Sequence, residues 1–186
     1  MSKIVIVDNH GQFTHLEGRA MRDLGVEHQI VDNSVPAEDV LRDDVDGIIL
    51  SGGPSLEDAG SSPDYLEKDI PVLGICLGHQ VIANRLGGEV TSGEYGGFAD
   101  VDVVLLEEDG LFQGLGNSVS TWASHGDEVA SLPDGFVRTA ESEICGIEGM
   151  RHESKPIYGV QWHPEVSHTE KGLDLLDNFV EIAENY

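Results

Sequence analysis

The segment Val72-Leu73-Gly74-Ile75-Cys76-Leu77-Gly78-His79-Gln80 places a thiol at the end of an apolar run, with a glycine two residues to either side. The spacing Gly-x-Cys-x-Gly is the cysteine counterpart of the Gly-x-Ser-x-Gly elbow, a strand-to-helix turn that presents a nucleophile. So tight a turn strains the backbone of its central residue and leaves no room for side chains at its flanks. A thiol at the start of the following helix also meets the positive end of the helix dipole, which favours thiolate. A free cysteine is ordinarily a small buried hydrophobe. The paired glycines argue otherwise for Cys76, provided that the chain supplies a base and oxyanion donors.

Tyr158-Gly159-Val160-Gln161-Trp162-His163-Pro164-Glu165 offers the base. In extended backbone, residues two apart face the same way, so His163 and Glu165 project together across the stiff Pro164. A carboxylate beside an imidazole fixes its tautomer and stabilises the imidazolium. A thiol with a reference pKa of about 8.5 needs such a partner at neutral pH. Leu50-Ser51-Gly52-Gly53-Pro54 brings bare backbone to the end of another strand. There the Gly53 N–H can serve an oxyanion, with the N–H of Leu77, the residue after the nucleophile, as the second donor.

These groups need a scaffold. Ile4 to Val7, Glu27 to Val31, Gly47 to Leu50 and Pro71 to Ile75 read as strands, and Phe13 to Leu24 and Val81 to Leu86 as helices. Gly25 and Gly87-Gly88 close those helices. Strands alternating with helices predict a parallel α/β sheet. The second half is richer in strands: Asp100 to Leu105, Ser118 to Trp122, Phe136 to Thr139, Ile144 to Ile147 and Pro156 to Trp162. A last amphipathic helix is predicted from Glu170 to Ala183, with Leu173, Leu176, Phe179, Val180 and Ala183 on its buried face. With no repeat and no linker, residues 1–186 read as one domain.

Lysine and arginine number 10 against 35 aspartates and glutamates, a formal charge of −25 over 186 residues. That balance excludes a basic patch for nucleic acid or an anionic membrane. The even spread of acid predicts a surface suited to high salt, as in a halophile, where screening relieves the self-repulsion. The N-terminus has no signal-peptide organisation, and its apolar run ends at Asp8. Two cysteines make no disulfide framework, so a reduced cytoplasmic setting is expected. Cys145 reads as core, and His79 as a packing residue. His10, His15, His28, His152 and His168 show no metal-ligand spacing, so no metal is expected.

The set Ser51 to Pro54, Gly74 to Gln80 and His163 to Glu165 resembles the class I (triad) glutamine amidotransferases, in the same order and over essentially the whole chain. The resemblance implies an open, mostly parallel central sheet flanked by helices, flavodoxin-like, with extra antiparallel strands in the second half. It implies hydrolysis of glutamine to glutamate and ammonia through a thioester on Cys76. His163 would act as base and acid, Glu165 would orient it, and Gly53 and Leu77 would hold the oxyanion. Gly52, Gly53, Pro54 and Gln80 would help hold the substrate. Further stretches resemble the glutaminases of GMP synthases: Ile6 to His15, Glu94 to Asp100, Trp122 to Asp127, and Gln161 to His168 with Asn178-Phe179. In that group Ser124, His125 and Gly126 correspond to a substrate loop, and Asp127 lies near the glutamine and the synthetase. Ala123 and Trp162 stand where that group usually has methionine and phenylalanine.

No Ser-Gly-Gly-x-Asp-Ser loop for ATP is present. The resemblance therefore implies the separate glutaminase subunit found in archaea, with no cofactor of its own. ATP and Mg would be used by a partner, an ATP pyrophosphatase (synthetase) subunit, in a heterodimer or larger assembly. Two other readings stay open. One is the glutaminase of anthranilate, aminodeoxychorismate or carbamoyl phosphate synthesis. The other is a non-enzymatic regulatory subunit.

Overall fold

The structure, a computed structural model, describes residues 2–186, without the side chains at 94–99. The signature read at Glu94 to Ala99 thus lies outside the described residues. Nine strands form one sheet: β1 (Lys3–Asp8), β2 (Glu27–Asp32), β3 (Gly47–Leu50), β4 (Val72–Ile75), β5 (Glu89–Leu105), β6 (Ser118–Ser131), β7 (Phe136–Glu141), β8 (Gly149–His152) and β9 (Ile157–Val160). Their order is β2-β1-β3-β4-β9-β8-β7-β5-β6. The first five run parallel, and the rest pair antiparallel. The helices are α1 (Thr14–Asp23), α2 (Ala37–Val40), α3 (Leu77–Arg85) and α4 (Gly172–Glu184).

The parallel half owes its position to composition. Ile4 to Val7, Ile48 to Leu50 and Leu73 are wholly buried, as β-branched and leucine runs must be when helices cover both faces of a sheet. One apolar cluster lies on each face. One gathers Ile4, Ile6, Met21, Ile49, Leu73, Trp162, Leu176 and Phe179. The other gathers Val5, Val7, Leu50, Tyr65, Leu77 and Ile82. Among the described residues, no helix is long and apolar enough to cross a membrane.

Two expectations are corrected. Residues 144–147 form no strand: the Ser142 hydroxyl accepts the N–H groups of Ile144 and Cys145 at 3.3 and 3.1 Å, and the Ser142 N–H bonds the Cys145 carbonyl at 2.9 Å. A side chain that satisfies its neighbours' backbone competes with a sheet ladder. The strand begins instead at Gly149, and Cys145 is buried in the turn. In α4, Leu173 is 45% exposed, while Leu175 joins Leu176, Phe179, Val180 and Ala183 inside.

Candidate active site

The cysteine, histidine and glycine motifs lie where parallel strands end. In open α/β sheets ligands bind outside the carboxyl ends of the strands. β1 runs into the loop His10 to Phe13, β3 into Ser51 to Pro54, β4 into Cys76, and β9 into Gln161 to Glu165. Asn9 fastens the first two loops: its backbone N–H and its side-chain amide both donate to Ser51, each at 2.9 Å.

The elbow has the strain that its sequence demands. Cys76 has φ 53° and ψ −103°, a left-handed φ that non-glycine residues seldom hold and that costs about 1–3 kcal/mol. The glycines around it are required. A Cβ on Gly78 would sit 2.0 Å from the Leu50 carbonyl oxygen, and one on Gly74 would sit 2.5 Å from the Gly78 carbonyl. Gly52 lies between His163 and Cys76, where a Cβ would be 3.0 Å from His163 Cε1 and 3.6 Å from Cys76 Cβ.

His163 Nδ1 and Glu165 Oε1 are 2.7 Å apart, and the Glu165 side chain is fully buried. Phe13 packs against the imidazole edge-on, with ring centroids 5.1 Å apart. Burial pushes the pKa of the His163 ring down. Hydrogen bonds to Cys76 and Glu165, with the charges of both, outweigh burial and raise it to about 11. The backbone here is pinned by β6 and by the segment before α4: the His163 N–H donates to the Trp122 carbonyl at 3.1 Å, and the Thr169 hydroxyl donates to the His163 carbonyl at 2.6 Å.

Cys76 and His163 are each 5% exposed, and both line a cavity of about 260 Å³. That volume suits a free amino acid. Gly52, Gly53, Pro54, Cys76, Ser124, His163 and Glu165 line it, so the structure brings these expected residues together. Leu77 opens α3, where a first-turn N–H has no intrahelical partner.

Gln80, His125, Gly126 and Asp127 do not line the cavity. The Gln80 amide instead donates to the Asp127 carbonyl at 2.9 Å and to Gln161 Oε1 at 3.2 Å. The His125 ring bonds the same Asp127 carbonyl at 2.8 Å, and burial lowers its pKa.

Two contributions escaped the sequence reading. His10, Gly11, Gln12, Phe13 and Thr14 form one wall of the cavity. Gly11 was a usable signal there, since a Cβ on it would meet the Gly52 carbonyl oxygen at 2.6 Å. Gln161 donates its amide N–H to Cys76 Sγ at 3.6 Å, and the Ser124 carbonyl faces the same sulfur at 3.7 Å. His79 has a packing role: its buried Nε2 bonds the Ile147 carbonyl at 3.2 Å, and a Cβ on Gly159 would strike its Nδ1 at 2.4 Å. Among the described residues, no group of three or more histidines, cysteines or carboxylates could hold a metal ion.

Residues 5–183 match the family model "Glutamine amidotransferase class-I". This chain belongs to that family. Within it, the chain is 59% identical over 185 residues to a GMP synthase (glutamine-hydrolyzing) subunit of Methanosarcina barkeri, covering 99% of this chain and 98% of that one. It is 54% identical to the protein of the same name from Haloarcula marismortui, over 99% of this chain and 96% of that one. A crystal structure from Thermoplasma acidophilum, provisionally named a GMP synthase subunit, matches with a TM-score of 0.94 at 39% identity, over 100% of this chain and 96% of that one. A glutamine amidotransferase from Thermotoga maritima shares the fold, with a TM-score of 0.74 at 21% identity over 99% of this chain and 83% of that one.

Proposed function

We propose that this amidotransferase is the glutaminase subunit of a two-chain GMP synthase. It hydrolyses glutamine and delivers the ammonia to an ATP pyrophosphatase subunit that converts XMP to GMP. The observation that carries the chemistry is the strained Cys76, seated beside a buried, carboxylate-held His163 at the mouth of an amino-acid-sized cavity. The choice of partner rests on the near full-length likeness to proteins named as a subunit of glutamine-hydrolyzing GMP synthase.

The Cys76 sulfur attacks the carboxamide carbon, and the oxyanion rests on the N–H groups of Gly53 and Leu77. As the C–N bond breaks, His163 gives its proton to the departing nitrogen, and ammonia leaves. His163 then takes a proton from water, which opens the thioester to glutamate and restores the thiol. Glu165 holds the ring in the tautomer that this cycle needs. Gly52, Gly53, Pro54 and Ser124 bound the substrate. Gln80, His125, Gly126 and Asp127 shape the segment behind it, with Asp127 toward the synthetase. The chain itself needs no cofactor; ATP and Mg belong to the partner.

Ammonia is useful only if it reaches XMP before solvent protonates it, so turnover should depend on the docked partner. Ammonia release from glutamine is measured with and without the synthetase subunit, XMP and Mg-ATP. A large rise on adding the partner and its substrates, with GMP formed, is the expected result. Equal turnover in all conditions rejects the coupling.

The net charge of −25 and the likeness to a Haloarcula protein support a surface adapted to salt. Stability should rise, not fall, from dilute buffer to molar KCl.

A further inference from the structure

The catalytic cavity has a larger neighbour. A groove of about 660 Å³ runs between α1 and the start of α4, and two residues, Phe13 and Glu165, line both. Helical spacing builds its walls. On α1, Leu16 and Ala20 face it four residues apart, with Arg19 and Asp23 beside them. On α4, Leu173 and Leu176 face it three residues apart. Ala20 and Leu176 also belong to the apolar cluster beneath both helices. Leu173 is the side chain that leaves the buried stripe of α4 and stands in solvent.

Val104, Leu173 and Tyr186 are exposed, large apolar side chains that each line a cavity. Among the described residues, the cavity of Leu173 is the one of these that shares walls with the catalytic cavity. Charge then narrows the occupant. The chain carries 10 basic and 35 acidic side chains, yet Arg19 and Lys171 stand here against Asp23, Asp174 and Glu165. The Glu165 charge is engaged by His163 at 2.7 Å, so the rest of the groove is balanced on a molecule of −25. A second copy seated on this patch would bring two such molecules together and set Arg19 against Arg19. A different protein can instead bring a carboxylate to Arg19, whose guanidinium is open and only loosely held by Asp23 at 3.9 Å. The protein that must sit against the catalytic end of this chain is the consumer of its ammonia.

We propose that this groove is a docking site for the synthetase subunit, which inserts an apolar side chain among Leu16, Ala20, Leu173 and Leu176 and sets a carboxylate against Arg19. This rests on the GMP synthase reading and deepens it. The site also gives docking a route to the triad. Phe13 packs edge-on against the His163 ring, with centroids 5.1 Å apart, and Glu165 holds Nδ1 at 2.7 Å. Both side chains are walls of the groove as well. A segment seated there bears on the two contacts that orient the base. Binding that favours the aligned ring shifts the population toward it, which ties ammonia release to the presence of the consumer.

The test measures binding of the synthetase subunit by calorimetry, in KCl at which both subunits are folded. The wild-type chain is compared with Leu173→Glu, Arg19→Glu and Val104→Glu. All three positions are exposed, so each variant should melt with the wild type. Leu173→Glu is expected to raise Kd about 10- to 100-fold, as for an anchor at the centre of an interface. Arg19→Glu leaves the apolar packing alone and should raise Kd about 3- to 30-fold, by an amount that shrinks as KCl rises. Val104→Glu, on β5, should stay within about twofold. Wild-type affinity in both Leu173→Glu and Arg19→Glu, or equal losses in Leu173→Glu and Val104→Glu, overturns the proposal. So does self-association of the wild-type chain that Leu173→Glu abolishes, which would seat a second copy in the groove. A wild-type chain that binds no synthetase overturns the proposal together with the GMP synthase reading. If the wild-type complex forms and Leu173→Glu weakens it, but no ammonia is released, the glutaminase reading falls and the docking site stands.

Discussion

The two halves of the sheet contribute to the site by different means. The parallel half supplies side chains and strain: Cys76 follows β4, His163 and Glu165 follow β9, and the bare Gly52-Gly53 backbone follows β3. In the antiparallel half, the contacts that β6 makes with these groups are main-chain carbonyls. Trp122 accepts from His163 N–H, Ser124 faces Cys76 Sγ, and Asp127 accepts from Gln80. A site built this way separates chemistry from support. Side-chain changes in the parallel half should be severe, and those on β6 mild so long as the strand stays in place.

Among changes that leave Cys76 in place, the largest effect should come from Glu165→Gln. The ring loses its charged partner, and ammonia release should fall by ~10²- to 10⁴-fold with little change in KM. A loss below tenfold would mean that geometry, not charge, is what the carboxylate provides. Next is Gly78→Ala, which drives a methyl to 2.0 Å from the Leu50 carbonyl oxygen. Urea unfolding should show a loss of about 3 kcal/mol from overpacking. Unchanged stability would mean that the elbow has slack.

In the antiparallel half the prediction concerns pH. Burial pushes the Glu148 carboxyl up to about 7, against which the Ser142 hydrogen bond acts. Its folded pKa exceeds its unfolded one, so the native state binds the extra proton between them. Stability therefore falls as pH rises from about 5 to 7, by on the order of 2 kcal/mol. Glu148→Gln should flatten that decline, and a slope unaltered by the change would assign it to other groups. The smallest effect is expected for Trp122→Phe. The indole N–H has no hydrogen-bond partner among the described residues, and the residue holds His163 through its carbonyl. Ammonia release should stay within about threefold; a loss beyond tenfold would show that the indole itself positions the base.

The same contrast explains what could be read from the sequence. Cys76 was legible because an elbow is a local device, written in glycines two residues away. His163 and Glu165 were legible because a carboxylate two residues from an imidazole is a short-range pair, although residues 161–165 form bends and turns beyond β9 and not the extended backbone that the sequence suggested. The strands of the parallel half announced themselves as apolar runs, since burial on both faces leaves no other composition. Gln161 was not legible as a contact to Cys76, because 85 residues separate them and adjacent strands β4 and β9 bring them together. The turn at Ser142 replaced an apparent strand because one hydroxyl competes locally with the ladder, a choice that periodicity does not record.

The central claim is that Cys76 is the nucleophile of a glutaminase, and trapping the thioester tests it most directly. The complex is incubated with glutamine, quenched in acid, digested and examined by mass spectrometry, with Cys76→Ala in parallel. The account predicts a glutamyl adduct on the peptide that carries Cys76, and ammonia release at least ~10⁴-fold lower in Cys76→Ala. An adduct on another residue, or undiminished ammonia release from Cys76→Ala, would contradict it.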